Sequence, residues 1–388
     1  MAQAPIKDIE ILRGFAVLAV CLHHASDNLF TWKPVILESW NHYFGGWIGV
    51  DIFFAISGFV IARSLLPQLG SCSSHTMIWR TIGAFWIRRA WRLLPSAWLW
   101  LLLVLLAAAV FQNPATFGDV KTNIDATVAG VLQVANVRFL HTFMQAPYGA
   151  SFVYWSLSLE EQFYIALPLL AWLCGRRLVW VLLALTLWQL LQVRSFTLVV
   201  FRSDALMLGV LLALGSCHPG YARWQPARLA GMPGLSTTLL LGLLALLGFI
   251  GSDALALGSG RLGAIALGSG LLVWWASYDQ DIFLPRWARP AMAWLGSRSY
   301  AIYLIHVPAY FLTRELWSRL LPAQQPDAGF FWPYTLTAGT LIVLLSELNY
   351  RYVEMPCRRR GAALAQKFKP PSTSSGTTAA IAHPSCST

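Results

Sequence analysis

The sequence predicts an all-α, polytopic membrane protein: a helical bundle of about ten transmembrane helices with both ends of the chain in the cytoplasm. Three observations carry that expectation. Of the 388 residues, 57% are hydrophobic and 12% are charged, whereas a soluble domain of ordinary composition carries about 25% charge. The mean hydropathy is +0.56, and apolar runs recur from end to end, each near the ~20 residues a helix needs to cross a bilayer. Lys and Arg, finally, concentrate on every second connection between those runs, as they do where connections alternate between cytoplasm and exterior.

Taken in order, the apolar runs place spans at about 9–30, 46–66, 94–112, 152–174, 178–193, 197–214, 235–251, 258–278, 298–320 and 332–352. Two are short, and several are interrupted by Gly or Pro. Such breaks are tolerated where neighbouring helices or a cavity satisfy the freed backbone groups. With the N-terminus inside, 20 of the 28 Lys and Arg residues fall on the cytoplasmic side and 8 on the outer side or at outer helix ends. A wrong span count would scramble that alternation. No signal-peptide cleavage site follows the first run, so it is expected to stay as a helix. The longest outer segment, 113–151, is short for an independent domain. Residues 1–365 are therefore expected to form one transmembrane domain. Residues 366–388, rich in Pro, Ser, Thr and Ala, are expected to be a disordered cytoplasmic tail. No soluble catalytic domain is expected, so any chemistry belongs inside the bundle.

The formal charge of +11 does not point to a nucleic-acid partner, because no basic stripe sits on a soluble domain. It is the cationic excess that membrane proteins keep on their cytoplasmic connections, and the lipid bilayer is the expected partner. The six cysteines show no CxxC and no ligand spacing, so neither a disulfide framework nor a metal is expected.

Ionisable side chains inside spans are costly and mark functional positions by default. Arg13 and His24 lie 11 residues apart in the first span. That is about three helical turns, so both point to one face, roughly 16 Å apart along the axis. Arg13 falls at the cytoplasmic mouth and His24 near the bilayer midplane. A basic group at the mouth suits an anionic ligand, and a deeper histidine suits proton transfer. The alternative is an interfacial anchor and a helix-packing histidine, and spacing alone leaves the two readings level. His23, about 100° away round the helix, is the less favoured of the neighbouring pair. Arg89 and Arg92, at i and i+3, share a face and form a fork suited to phosphate. Positive-inside anchoring explains the basic loop equally well but not the pairing. In the fourth span, Glu160 and Glu161 precede Tyr164, and no topological rule requires two acids there. Pairing with a buried arginine and holding the histidine tautomer are both open to them. His306, Asp51, Arg202, Asp204 and Glu347 complete a polar interior.

These residues fall in blocks that resemble one family. The run from Ile11 to Ala16, followed by His23 and His24, matches an Arg, ten residues, His pattern at Arg13 and His24. Gly49 to Phe59 resembles a second-span signature, and Arg89-Ala-Trp-Arg92 with Pro95 matches an Arg-x-x-Arg motif. Trp155 to Tyr164 with Pro168, Arg202 to Gly209, Ser299 to His306 and Ser346 to Pro356 look like its later blocks. The chain is similar throughout to the acyltransferase-3 family of bacterial membrane O-acyltransferases.

That resemblance implies a ten-helix acyltransferase of the bacterial inner membrane, with acetyl-coenzyme A or another acyl-coenzyme A as co-substrate and no permanently bound cofactor. It implies a sugar hydroxyl as acceptor, on an external glycan or a lipid-linked sugar. Carried onto this chain, Arg13, Arg89 and Arg92 are expected to hold the coenzyme A phosphates. His24 is expected to act as general base or acyl relay, with Glu160, Glu161 and His306 in support. Asp51, Tyr164, Arg202 and Asp204 are expected to line the polar interior. The contrasting reading is a transporter of a glycan or acyl precursor. Transporters commonly show repeats between halves, and the Arg13–His24 pair is not echoed after residue 200. The sequence sets no oligomeric state.

Overall fold

The computed structural model describes residues 6–368 apart from 231, 256 and 282, and all regular elements among them are helical. The first helix, α1 (Lys7–Asn28), carries Asp8 and Glu10 in its first turn, where acidic groups complement the helix dipole. After the short α2 (Val35–Tyr43), α3 (Ile48–Gly70) runs through the centre of the bundle. It is buried on nearly all sides, which is what a helix apolar around its whole circumference requires. A single long helix follows, α4 (His75–Phe111), capped by the Ser74 hydroxyl, which accepts from the Met77 amide. Its first half bears Arg80, Arg88, Arg89 and Arg92; only its second half was predicted as a span.

Two short helices, α5 (Val120–Val131) and α6 (Ala135–Thr142), precede α7 (Tyr154–Cys174). That helix stops at Gly175, whose φ of +51° suits glycine, and the chain continues as α8 (Leu178–Leu191). The span predicted at 197–214 is broken into α9 (Phe196–Val200) and α10 (Asp204–Ser216). Arg202 sits in the break and turns inward to Asp51 on α3, so the interruption serves an ion pair. The rest of the bundle is α11 (Ala227–Ala230), α12 (Pro233–Ile250), α13 (Arg261–Ala276), α14 (Arg289–Ser297), α15 (Ser299–Leu320) and α16 (Phe331–Asn349). A π-helical turn, Tyr350–Glu354, joins α16 to α17 (Met355–Gln366).

Close backbone approach holds the centre together. A Cβ on Gly58 of α3 would strike the Leu206 carbonyl of α10, and one on Gly209 would strike the Ala55 carbonyl in return. Small residues at facing positions are how membrane helices approach when lipid supplies no hydrophobic drive. Lower down, Trp100 donates to Asn349 (3.2 Å) and Asn349 donates to Ser96 (3.2 Å), tying α4 to α16 and hence to α17.

Five helical stretches are long and apolar enough to cross a membrane: α1, α3, α4, the run 154–191 and the run 328–366. The helices α10, α12 and α13 are apolar but shorter. Outward-facing apolar side chains such as Leu102 and Leu106 on α4, Leu187 and Leu191 on α8, and Leu336 and Leu344 on α16 are exposed, as hydrocarbon contact demands. The expected tail begins within α17, which stays helical to Gln366; residues 369–388 lie outside the described residues.

Candidate active site

An interior cavity of about 720 Å³ of empty space, its mouth included, gathers side chains from α1, α3, α4, α7 and α15. Arg13, Arg89, Arg92, Glu160 and Tyr164 all line it. The 3.6-residue period of α4 puts Arg89 and Arg92 on one side of that helix. Arg89 lies over the Tyr164 ring, 5.2 Å from its centroid, and 5.8 Å from that of Phe85. Arg13 pairs with Glu10 at 2.7 Å. Among the described residues neither Arg89 nor Arg92 has a carboxylate at ion-pair distance, and the Nε of Arg92 is buried without a partner. Cations drawn inside without counter-ions leave room for an anionic ligand.

Glu160 and Glu161 do not serve the same purpose. The Tyr164 hydroxyl donates to Glu160, so Ser57 donates in turn to Tyr164 at 2.6 Å. Glu161 is buried with Oε1 unpartnered. No hydrogen bond joins either acid to His24 or His306 among the described residues. Of the two roles the sequence left open, tautomer control is the one these positions do not build.

That role falls to His306. His24 Nδ1 and His306 Nε2 are 2.9 Å apart, with the rings inclined by 10°. His306 Nδ1 lies 3.2 Å from the Ile302 carbonyl, which can only accept. A neutral His306 therefore carries its proton on Nδ1 and presents Nε2 as an acceptor. His24 must then donate from Nδ1, which leaves its Nε2 with a free lone pair. Phe152 meets the His24 ring edge-on at 5.2 Å, and His23 is 5.6 Å away. His306 is fully buried and His24 half-buried. His24 lies one turn before the end of α1 at Asn28, so it stands towards the end of that helix opposite Arg13 rather than at its middle.

Neither histidine lines the cavity; Tyr303 stands between. It lines the cavity, its ring centroid is 5.7 Å from that of His306, and its hydroxyl is held by Ser156 (2.7 Å) and the Val153 carbonyl (3.1 Å). The remaining predicted residues are structural in placement. Arg202 grips Asp51 through two bonds of 2.9 Å among the rings of Trp47, Phe54 and Trp155. Asp204 pairs with Arg194. Sequence reasoning passed over Tyr303, and also over Arg358 of α17, on which Arg92, Glu354 and Arg13 act electrostatically. Glu354, in the π-helical turn, is buried with Oε2 unpartnered.

A family model described as an acyltransferase domain matches residues 6–347. The chain belongs to the acyltransferase-3 family. A peptidoglycan O-acetyltransferase of Listeria monocytogenes is 26% identical over 381 residues, covering 92% of this chain and 56% of that protein. A Bacillus subtilis protein provisionally named a peptidoglycan O-acetyltransferase is 28% identical over 392 residues, covering 92% and 55%. A Staphylococcus aureus protein provisionally named an O-acetyltransferase is 26% identical over 386 residues, covering 92% and 58%. The chain thus spans a little over half the length of these relatives. No solved structure matches it significantly.

Proposed function

We propose that this chain is a multi-pass O-acyltransferase of the bacterial plasma membrane, with about ten spans and both ends inside, that moves an acyl group, most simply acetyl, from cytoplasmic acyl-coenzyme A to a hydroxyl of an extracytoplasmic or lipid-linked glycan. The observation that carries the reading is the His24–His306 pair, whose hydrogen bonds leave His24 Nε2 as a free base. The arginine-lined cavity supports it from the other end of α1. The relatives named for O-acetyl transfer to peptidoglycan support a glycan as the acceptor class.

In this mechanism Arg89 and Arg92, with Arg13 and Arg358 beside them, hold the phosphates of the donor. Arg forks suit that task better than point-charge ammonium groups. The thioester extends past Tyr303 towards the histidine pair. His24 Nε2 takes the acceptor hydroxyl's proton as its oxygen bonds to the thioester carbonyl carbon. The carbon–sulfur bond breaks, and the proton passes from His24 to the departing thiolate. His306 keeps its own Nδ1 proton throughout and holds the His24 ring in place.

Replacing His24 by Ala in membranes supplied with radiolabelled acetyl-coenzyme A tests this. General-base removal should cut transfer by about 10²–10⁴, with protein amount and detergent melting temperature unchanged. Transfer near the wild-type rate would overturn the assignment.

A further inference from the structure

A second hollow opens beside the histidine pair, outside the donor cavity. It holds about 1170 Å³ of empty space, counted to its wide mouth, between the end of α1, the outer helix α2 and the turn after α12. Three anchors fix its walls. Gly45 donates its amide to the Gly248 carbonyl (2.8 Å), Ala254 donates to the His42 carbonyl (3.0 Å), and Trp47 Nε1 donates to the Gly251 carbonyl (2.9 Å). The lining is polar, with the carboxylates of Asp27, Glu38 and Asp253 against the single ammonium of Lys33. Two polar atoms of lining residues, His23 Nδ1 and Asn41 Oδ1, are buried without any hydrogen-bond partner. Buried polar groups are nearly always satisfied, so this pair leaves the wall at His23 and Asn41 with hydrogen-bonding capacity that no protein group uses. The His23 ring also lies 5.6 Å from that of His24. It is the wall shared by the hollow and the base.

We infer that this hollow is the acceptor subsite, and that it takes an uncharged or amine-bearing sugar and rejects an anionic one. Carboxylates and amide groups accept and donate to sugar hydroxyls, and the immobilised Trp47 indole adds an aromatic surface to the lining. Three carboxylates against one ammonium oppose a uronate or phosphorylated sugar, because like charges inside a concave site repel at short range. The donor cavity shows the reverse, with three arginines against the single carboxylate of Glu160 in its lining. The two hollows are thus of opposite charge at the two ends of α1, which keeps anionic donor and uncharged acceptor apart until they meet at His24.

This inference rests on the reading of His24 as the transfer base, so its test reads binding separately from turnover. The full chain in lipid nanodiscs is titrated with triacetylchitotriose, with the free-amine chitosan trimer and with trigalacturonate, using saturation-transfer NMR. The two non-anionic trimers should bind wild type and His24→Ala alike, and at least about tenfold tighter than trigalacturonate. Asp27→Asn and Asp253→Asn keep size and remove charge; each should weaken binding of the non-anionic trimers about tenfold, the worth of one charge-assisted hydrogen bond. Asp253→Lys should shift the preference towards trigalacturonate. Equal binding to the Asn variants, binding of trigalacturonate as tight as that of the other trimers, or no binding of any trimer would each overturn the inference. Bound sugar without acyl transfer in the wild type would instead count against the proposed function and leave the subsite standing.

Discussion

The Ile302 carbonyl, one turn before His306 on the same helix, accepts from His306 Nδ1 and so dictates which nitrogen of the neighbouring ring is free. This makes His306 a positioning residue with a specific chemical demand: it must present an acceptor 2.9 Å from His24 Nδ1. A glutamine places an amide oxygen close to the position of imidazole Nε2, whereas leucine fills the volume and accepts nothing. In the labelled-acetate assay, His306→Gln should therefore keep activity within about tenfold of wild type, while His306→Leu should lose about 10² or more, as general-base alignment fails. Equal losses in both variants would reduce His306 to packing. On α17, Arg358 lies within electrostatic reach of Arg92, the buried Glu354 and Arg13. If it grips a donor phosphate, Arg358→Ala should raise KM for acetyl-coenzyme A by about 10-fold or more with kcat little changed, the cost of one charge-assisted hydrogen bond. Arg358→Lys should recover only part of it, because an ammonium lacks the planar fork. The sequence concealed this residue inside the basic run Arg358–Arg360, where positive-inside anchoring is explanation enough.

Helix α3 is the element on which the site is assembled, since it supplies Asp51 to the outer ion pair and Ser57 to the Tyr164 chain. Its register against α10 depends on Gly58 and Gly209, each pressed against a carbonyl of the other helix. Overpacking such a contact costs about 1–3 kcal/mol. Gly209→Leu should accordingly lower the melting temperature of the detergent-solubilised protein and reduce activity with it, whereas Gly215→Leu, with nothing within 4 Å of a built Cβ, should leave both near wild type. Helix existence was legible at this scale because each apolar run is bounded by charge, Gly or Pro. Two features were not. The first half of α4 is helical although its arginines depress the hydropathy that marks a span, and α9 and α10 are separate because Arg202 bends in to meet Asp51, 151 residues away. The histidine pair shows the same limit: spacing flagged His24, hydropathy flagged His306, and nothing local joins residues 282 apart. Long-range pairing is a property of the packed bundle, not of any window of sequence.

At the scale of the whole molecule, opposite charge at opposite ends of α1 is useful only if the bundle sits one way in the membrane. On the proposed mechanism, Arg13, Arg89, Arg92 and Arg358 face the compartment that holds the acyl donor, and Asp27, Glu38 and Asp253 the other. The distribution of Lys and Arg predicts that direction independently of any site argument, with 20 of 28 on the side expected to be cytoplasmic. Cysteine accessibility tests both claims together. In a variant freed of native cysteines, Lys33→Cys on the rim of the sugar hollow should react in intact cells with a membrane-impermeant maleimide. Ser71→Cys, in the exposed turn between α3 and α4, should react only after the membrane is opened. A single crossing by α3 would separate the two positions, so the expected result is one protected and one labelled whatever the total span count. Inverted labelling would place the arginine cavity outside, away from its donor. Labelling of both in intact cells would mean that α3 does not cross, and would dismantle the two-ended site at its central helix.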